Sequence, residues 1–176
     1  PALFARIARV LLPKDWLRLL LSGDAVSDMS DASGTLWLDV GRRDWSDELL
    51  AATGLTRAHM PKLVEGSDAA AWLRPELARR WGVGTAHKSG VVIAGGGGDN
   101  AASAIGMGVV NPGQGFVSLG TSGVIFIAGQ HFAPNPGQAV HAFCHAMPGR
   151  WHQMSVMLSA ANCLDWAAKL TGSTSV

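Results

Sequence analysis

What this 176-residue chain has little of limits what it can be. The two cysteines, Cys144 and Cys163, are too few for a disulfide framework and fit reduced thiols in a cytoplasmic protein. Charge is also scarce: 15% of residues are charged and the net charge is +1, which argues against nucleic-acid binding through a basic surface. No apolar run approaches the roughly 20 residues that span a bilayer, and no signal-peptide layout is present, so no membrane partner is expected. A hydrophobic fraction of 48% excludes a disordered chain. Acids thin out along the sequence, with eleven of thirteen at or before Glu76. That asymmetry suggests a charged outer layer first and a mostly buried, glycine-rich centre later.

The scarcity of acid isolates Asp99, the only carboxylate between Glu76 and Asp165. It lies in Ser89 to Gly123, where Val91-Val92-Ile93-Ala94 reads as a short buried strand, followed by Gly95 to Gly98 and an alanine-rich helix start at Asp99-Asn100. Strand, glycines and helix start make a ligand corner in α/β folds, since bare backbone N–H groups can approach a ligand there. Asp99 either caps the helix or takes part in chemistry, and the two are compatible. A P-loop is excluded because no Lys-Ser/Thr follows Gly98. Gly96-x-Gly98-x-x-Ala101 fits the loose dinucleotide fingerprint but lacks the acidic residue expected roughly 20 positions later. Further on, Phe116–Leu119, Gly120-Thr121-Ser122-Gly123 and Val124–Ile127 read as a β-hairpin. Its tip is either an ordinary turn or a phosphate cradle.

Elsewhere the reading is of scaffold. Leu3 to Leu21 has helical spacing divided by Pro13 and stopped by Gly23. Asp28, Ser30, Asp31 and Ser33 form a polar loop, better suited to capping than to metal binding. Ser46 to Thr53 and Pro75 to Trp81 read as short helices ending at Gly54 and Gly82. Asn111-Pro112-Gly113 marks a turn and the domain boundary. Ala142 to Ala146 and Trp151 to Val156 read as strands around Pro148-Gly149, and Leu158 to Leu170 as a helix that packs on a sheet. His141, Cys144, His145 and His152 invite a zinc site, but on a strand Cys144 faces away from His141 and His145, so no metal is assigned. The seven tryptophans are expected in cores and interfaces.

Gly97-Gly98-Asp99-Asn100-Ala101 followed by Ser118-Leu119-Gly120-Thr121-Ser122-Gly123 resembles the FGGY carbohydrate kinases. Leu12–Arg18, Ser27–Ala32, Gly34–Val40, Arg43–Ser46, Phe143–Ala146 with Arg150–His152, and Leu158–Ala161 with Cys163–Trp166 are similar to segments of the same family, in the same order.

The resemblance implies an α/β fold of ribonuclease-H-like, actin-type (ASKHA) kinase domains, both incomplete. Residues 1–110 would be the C-terminal part of the first, sugar-binding domain and 111–176 the N-terminal part of the second, ATP-binding domain. It implies ATP with Mg2+ bridging the phosphates, and a small sugar substrate, D-xylulose, with ribulose, glycerol or another polyol as alternatives. A non-catalytic sugar sensor is the reading from another class. Asp99 would be the general base and a sugar contact, Asn100 a second sugar contact, and Gly120, Thr121, Ser122 and Gly123 the phosphate hairpin. The assembly admits a homodimer. The family's first phosphate hairpin and its adenine segment have no counterpart here, so the chain reads as an internal piece, inactive alone.

Overall fold

Proline and glycine punctuate the first half of the chain. The computed structural model describes residues 2–84 and 90–174, so Ser89 lies outside the described residues. A 3₁₀ turn at Phe4–Arg6 is followed by non-helical chain up to α1, Pro13–Ser22. Pro13 thus divides the stretch into a short helical turn and a longer helix, which it opens because its missing N–H costs nothing in a first turn. Gly23 ends it in the left-handed conformation, at φ 95°. The buried positions of α1 are Asp15 and Arg18, whereas Trp16, Leu17 and Leu20 are exposed. This helix therefore turns charge inward.

Strand β1, Val26–Asp28, pairs in parallel with β4, Lys62–Val64. Between them lie the one-turn helix α2, Met29–Ala32, the two-residue strands β2, Leu38–Asp39, and β3, Asp44–Trp45, and helix α3, Asp47–Ala52. Ser46 caps α3 through the amide of Leu49, as its sequence suggests. The core gathers Leu38, Trp45, Leu50, Leu55 and Met60, and takes in Cys144 from the far half of the chain. Strand β5, Ala69–Trp72, pairs antiparallel with β6, Val92–Ala94, and α4 spans Pro75–Trp81. The expected buried strand is a correction: Val92 is 47% exposed. Its partner is the single strand β5, and a two-stranded ribbon leaves most of its surface in water.

Helix α5, Asp99–Gly106, and a turn through Asn111–Gly113 lead to one antiparallel sheet of β7, Gly115–Leu119; β8, Gly123–Gly129; β9, His141–Cys144; and β10, Trp151–Met157. The order is β7-β8-β10-β9. Register puts Phe116, Phe126, Ala128, His152, Met154 and Phe143 on one face. Phe126 and Ala128 pack there with Ala104 of α5 and Val109. The sheet is also seamed to the first half. Ser33 Oγ accepts from the Cys144 amide at 3.0 Å, the Trp151 indole donates to the Val40 carbonyl at 2.8 Å, and the Arg43 guanidinium lies 5.0 Å over the Trp151 ring.

Three further expectations are corrected. Helix α6, Ala161–Thr171, has no buried residue, so it does not pack its apolar positions on the sheet. It makes its bonds at its start, where the Ala160 and Ala161 amides donate to the Thr121 and Gly120 carbonyls. Trp16, Trp72, Trp81 and Trp166 are exposed, leaving Trp45 as the buried tryptophan of the core. The glycine-rich centre is not mostly buried, since Val117, Leu119 and Ile125 are all more than half exposed.

Candidate active site

The site begins at the four-glycine corner between β6 and α5. A side chain on Gly95 would collide with the Glu65 carbonyl and meet Val64 at 3.1 Å, so only hydrogen fits. Gly96 adopts φ +82° over the Lys14 and Arg18 side chains, a conformation that glycine enters without strain. The corner's amides are largely consumed inside the protein. Gly95 N–H donates to Asp68 O, Gly96 N–H to Gly66 O, and Gly98 N–H to Ser30 Oγ at 2.9 Å. Of the four glycine amides only that of Gly97 has no protein partner among the described residues, so the corner offers a ligand far fewer bare amides than its sequence suggests, and its glycines serve close packing and aim the start of α5. The dinucleotide reading also lapses, because β6 is antiparallel to β5 and no parallel βαβ unit forms around it.

Behind the corner sits a charge network that sequence reading did not assemble. Lys14 Nζ lies 2.9 Å from Asp15 Oδ1, 2.7 Å from Asp28 Oδ1 and 3.6 Å from Asp31 Oδ2. Arg18 reaches Asp15 Oδ1 at 3.1 Å and donates to the Val26 and Gly95 carbonyls. Asp28, fully buried, caps α2 by accepting from the Ser30 and Asp31 amides and from Ser30 Oγ. The capping role expected of the polar loop thus holds. Burial alone would lower Lys14, but Asp28 and Asp15 outweigh it and hold the ammonium above its ordinary pKa. Burial pushes the Asp31 carboxyl up, and Lys14 offsets this only in part.

Arg18 and Ser30 both end on the glycine corner, so the network fixes where Asp99 stands. Asp99 is the first residue of α5, and the N-cap position belongs to Gly98. Its Oδ1 accepts from the Asn100 backbone amide at 2.8 Å and from Asn100 Nδ2 at 3.2 Å. Asp99 does not cap from the N-cap position, although an acid in a first helical turn still stabilises the helix. Asp99 and Asn100 open onto a cleft of about 220 Å³. Ser30, Asp31 and Gly34 of the first half and Phe143, His152 and Met154 of the sheet complete its lining. One expected site pair and one unexpected carboxylate, Asp31, therefore meet in a cleft between the two halves.

The hairpin is where the sequence puts it, with β7 and β8 paired through Leu119↔Gly123. Its tip is tied down: Gly120 N–H donates to Ser122 O, and Ser122 Oγ donates to the Leu158 carbonyl at 3.1 Å. The Thr121 side chain has no hydrogen bond among the described residues and is exposed. The histidine and cysteine cluster does not converge. Cys144 Sγ is turned toward the Val40 carbonyl, His145 Nε2 faces the Val109 carbonyl at 3.2 Å, and His145 Nδ1 accepts from the Met147 amide.

Asp31 was readable only as part of a polar loop, because nothing in Asp28-x-x-Asp31 tells which acid the fold buries. A partial signal for the network was Lys14-Asp15-x-x-Arg18 inside an apolar helix.

Three comparisons bear on the arrangement. A profile of the FGGY family of carbohydrate kinases, N-terminal domain, matches residues 1–106. The chain is 59% identical over 175 residues to the xylulose kinase of Klebsiella pneumoniae, covering 99% of this chain and 35% of that protein. It is 57% identical over 176 residues to the xylulose kinase of Escherichia coli (strain K12), covering 100% of this chain and 35% of that one. It superposes on the crystal structure of a xyloylose kinase from Brucella ovis with a TM-score of 0.92 and 60% identity, over 98% of this chain and 35% of that one. The chain thus spans 35% of the length of each of these relatives.

Proposed function

The chain belongs to the FGGY family of carbohydrate kinases and has the family's α/β, actin-like fold; from that premise we propose that it carries the phosphoryl-acceptor centre of a xylulokinase. The reaction is transfer of the ATP γ-phosphate to a hydroxyl of D-xylulose, giving D-xylulose 5-phosphate. The observation that carries this reading is the cleft lined by Asp99 and Asn100 together with Phe143 and Met154 of the sheet. Similarity to two xylulose kinases across nearly the whole chain supports the choice of sugar.

A sugar hydroxyl attacks poorly until its proton has somewhere to go, and Asp99 provides that acceptor. With Oδ1 engaged by Asn100, its other oxygen is left to take the proton. Asn100, held against Asp99, presents its amide to a neighbouring hydroxyl. Arg18 and Ser30 keep the carboxylate in place by pinning the Gly95 carbonyl and the Gly98 amide. The donor is ATP, with Mg2+ on its phosphates supplying charge neutralisation. Of the hairpin Gly120–Gly123, Thr121 is the hydroxyl we assign to the phosphate edge, because Ser122 already donates to Leu158.

We divide the chain into 1–110, part of the sugar-binding domain, and 111–176, part of the ATP-binding domain. The turn at Asn111–Gly113 supports that division, and the clusters bridge it: Cys144 joins the core of the first part, while Ala104 and Val109 pack with Phe126 and Ala128 of the second. Two free thiols support a cytoplasmic setting.

The test is Asp99→Asn in a protein of the relatives' full length. Asparagine keeps the size, and kcat with D-xylulose falls at least about a hundredfold while melting temperature and sugar binding hold. A variant that turns over D-xylulose at close to the parent rate removes Asp99 from the chemistry. A parent that phosphorylates D-ribulose or glycerol in preference to D-xylulose overturns the substrate.

A further inference from the structure

Three carboxylates surround Lys14, and only one of them reaches solvent. The side chains of Asp15 and Asp28 are 1% and 0% exposed, whereas that of Asp31 is 30% exposed. Asp31 is also the one of the three that lines the cleft, together with Asp99 and Asn100. Its Oδ1 lies 3.6 Å from the place a side-chain carbon on Gly98 would take, so it stands beside the residue that precedes Asp99. Gly34, three residues on, lines the same cleft without adding a side chain to it.

The charge network does not account for a third carboxylate here. Asp15 and Asp28 already balance Arg18 and Lys14, so Asp31 is surplus to it. Its contact with Lys14 is the longest of the three, 3.6 Å against 2.9 and 2.7 Å. Capping of α2 uses the Asp31 backbone amide, which donates to Asp28 at 3.2 Å, and not the Asp31 side chain. No donor other than Lys14 meets the Asp31 oxygens among the described residues. Burial meanwhile opposes ionisation of this carboxyl. An acid retained at that cost, with lone pairs left over and surface open to the cleft, suits a ligand that brings its own donors. Hydroxyls are such donors, and carboxylates hold them more strongly than neutral acceptors do.

We propose that Asp31 is a second sugar-binding carboxylate, which accepts a hydrogen bond from a hydroxyl other than the one that is phosphorylated. The proposal rests on the sugar-kinase reading above and deepens it: Asp99 takes the proton of the reacting hydroxyl, and Asp31 reads another. The Asp28 cap on α2 fixes where the second carboxylate stands. An acceptor of this kind discriminates strongly, because an analogue lacking the hydroxyl leaves a half-buried carboxylate desolvated and unpaired.

The test uses Asp31→Asn in a protein of the relatives' full length. Calorimetry without nucleotide reads the sugar affinity directly, and Kd for D-xylulose rises about tenfold, the worth of a hydrogen bond to a charged group. At saturating sugar kcat stays within about threefold and KM for ATP within about twofold, because binding rather than chemistry has been weakened. Monodeoxy analogues of D-xylulose supply the readout that a structural role would not move. The analogue without the hydroxyl that Asp31 reads binds the parent more weakly than D-xylulose does, whereas the variant binds the two alike. Unchanged Kd for D-xylulose overturns the proposal and leaves Asp31 a residue of the charge network. Loss of affinity by one common factor for D-xylulose and every analogue also overturns it, as does a raised Mg2+ requirement with sugar affinity unchanged. If the variant does not fold, carbodiimide labelling of the parent is followed at Asp31 by mass spectrometry. Slower labelling in the presence of D-xylulose supports the contact, and an unchanged rate overturns it. A parent that binds D-xylulose through Asp31 yet does not phosphorylate it sinks the kinase reading alone. A normally active parent whose sugar affinity is indifferent to Asp31→Asn sinks this proposal alone.

Discussion

Leu50 of α3 and Ile125 of β8 are both branched aliphatic residues, yet Leu50 has no exposed surface and Ile125 is 51% exposed. Around Leu50, short strands and single-turn helices close a core of Leu38, Trp45, Leu55 and Met60. Around Ile125, regular strands place Phe126 and Ala128 against α5 on one face, while Val117, Leu119 and Ile125 on the other have no cover among the described residues. The half with the less regular secondary structure is the better packed. Regularity in the second half comes from the antiparallel ladder, and its useful side is the inner face, which doubles as a wall of the cleft. The cleft is therefore a joint product, with Asp99 set by charge and glycine packing and Phe143 and Met154 set by strand register.

The contrast in burial is sharpened most by truncation. Leu50→Ala should cost about 2–5 kcal/mol, as for buried leucines in general, whereas Ile125→Ala in this chain should lie within about 0.5 kcal/mol of the parent. Urea melts of both variants check it, and equal losses would erase the distinction between the two halves. Gly95→Ala probes the corner where they meet. Its methyl would strike backbone rather than a flexible side chain, so a loss of about 1–3 kcal/mol or more is expected in the same melts.

A pH series probes the inner face. An imidazole in an unfolded chain titrates near its ordinary value of 6.5, and in the folded sheet His152 titrates at about 3. Between those values the unfolded chain takes up a proton that the folded ring refuses, so stability falls as pH drops through that window. The contribution is at most about 1.4 kcal/mol per pH unit. His145, also lowered by burial, acts in the same direction. His152→Phe should flatten the slope of melting temperature between pH 6 and 4 without abolishing it, and an unchanged slope would contradict the burial of this ring. The smallest effect belongs to the exposed hairpin tip. In a protein of the relatives' full length, Thr121→Val should raise KM for ATP or lower kcat by several-fold, about 1 kcal/mol. Unaltered ATP kinetics would reduce Thr121 to a turn residue.

Much of the local architecture was legible because short-range rules decide it. Pro75 and Gly82 bracket α4, Ser46 caps α3, and Gly120–Gly123 closes a hairpin, each through chemistry confined to a few residues. Asp99 stood out because no other acid lies near it in sequence. What could not be read depends on elements far apart. Lys14 meets Asp28 and Asp31 only because α1 lies against β1, which runs straight into α2, and Ser30 finds the Gly98 amide 68 positions away. The four glycines were legible as a corner but not in purpose, because whether an amide faces a ligand or Asp68 is settled by the loop opposite. The apolar spacing of α6 misled because amphipathicity states what a helix can cover, not whether a partner surface lies beneath it.

The two thiols give this molecule a built-in clock. Cys163 is exposed, while Cys144 is fully buried at the seam between Ser33, Val40 and Trp151, with its thiol pushed up by burial. An alkylating reagent needs a thiolate that it can touch, so Cys163 should react at once and Cys144 only during the moments when the sheet lifts from the first half. The slow phase of labelling therefore counts those openings directly. Any ligand that bridges both walls of the cleft lengthens the interval between them, which turns sugar binding into a measurable delay at a sulfur atom that the sugar never touches.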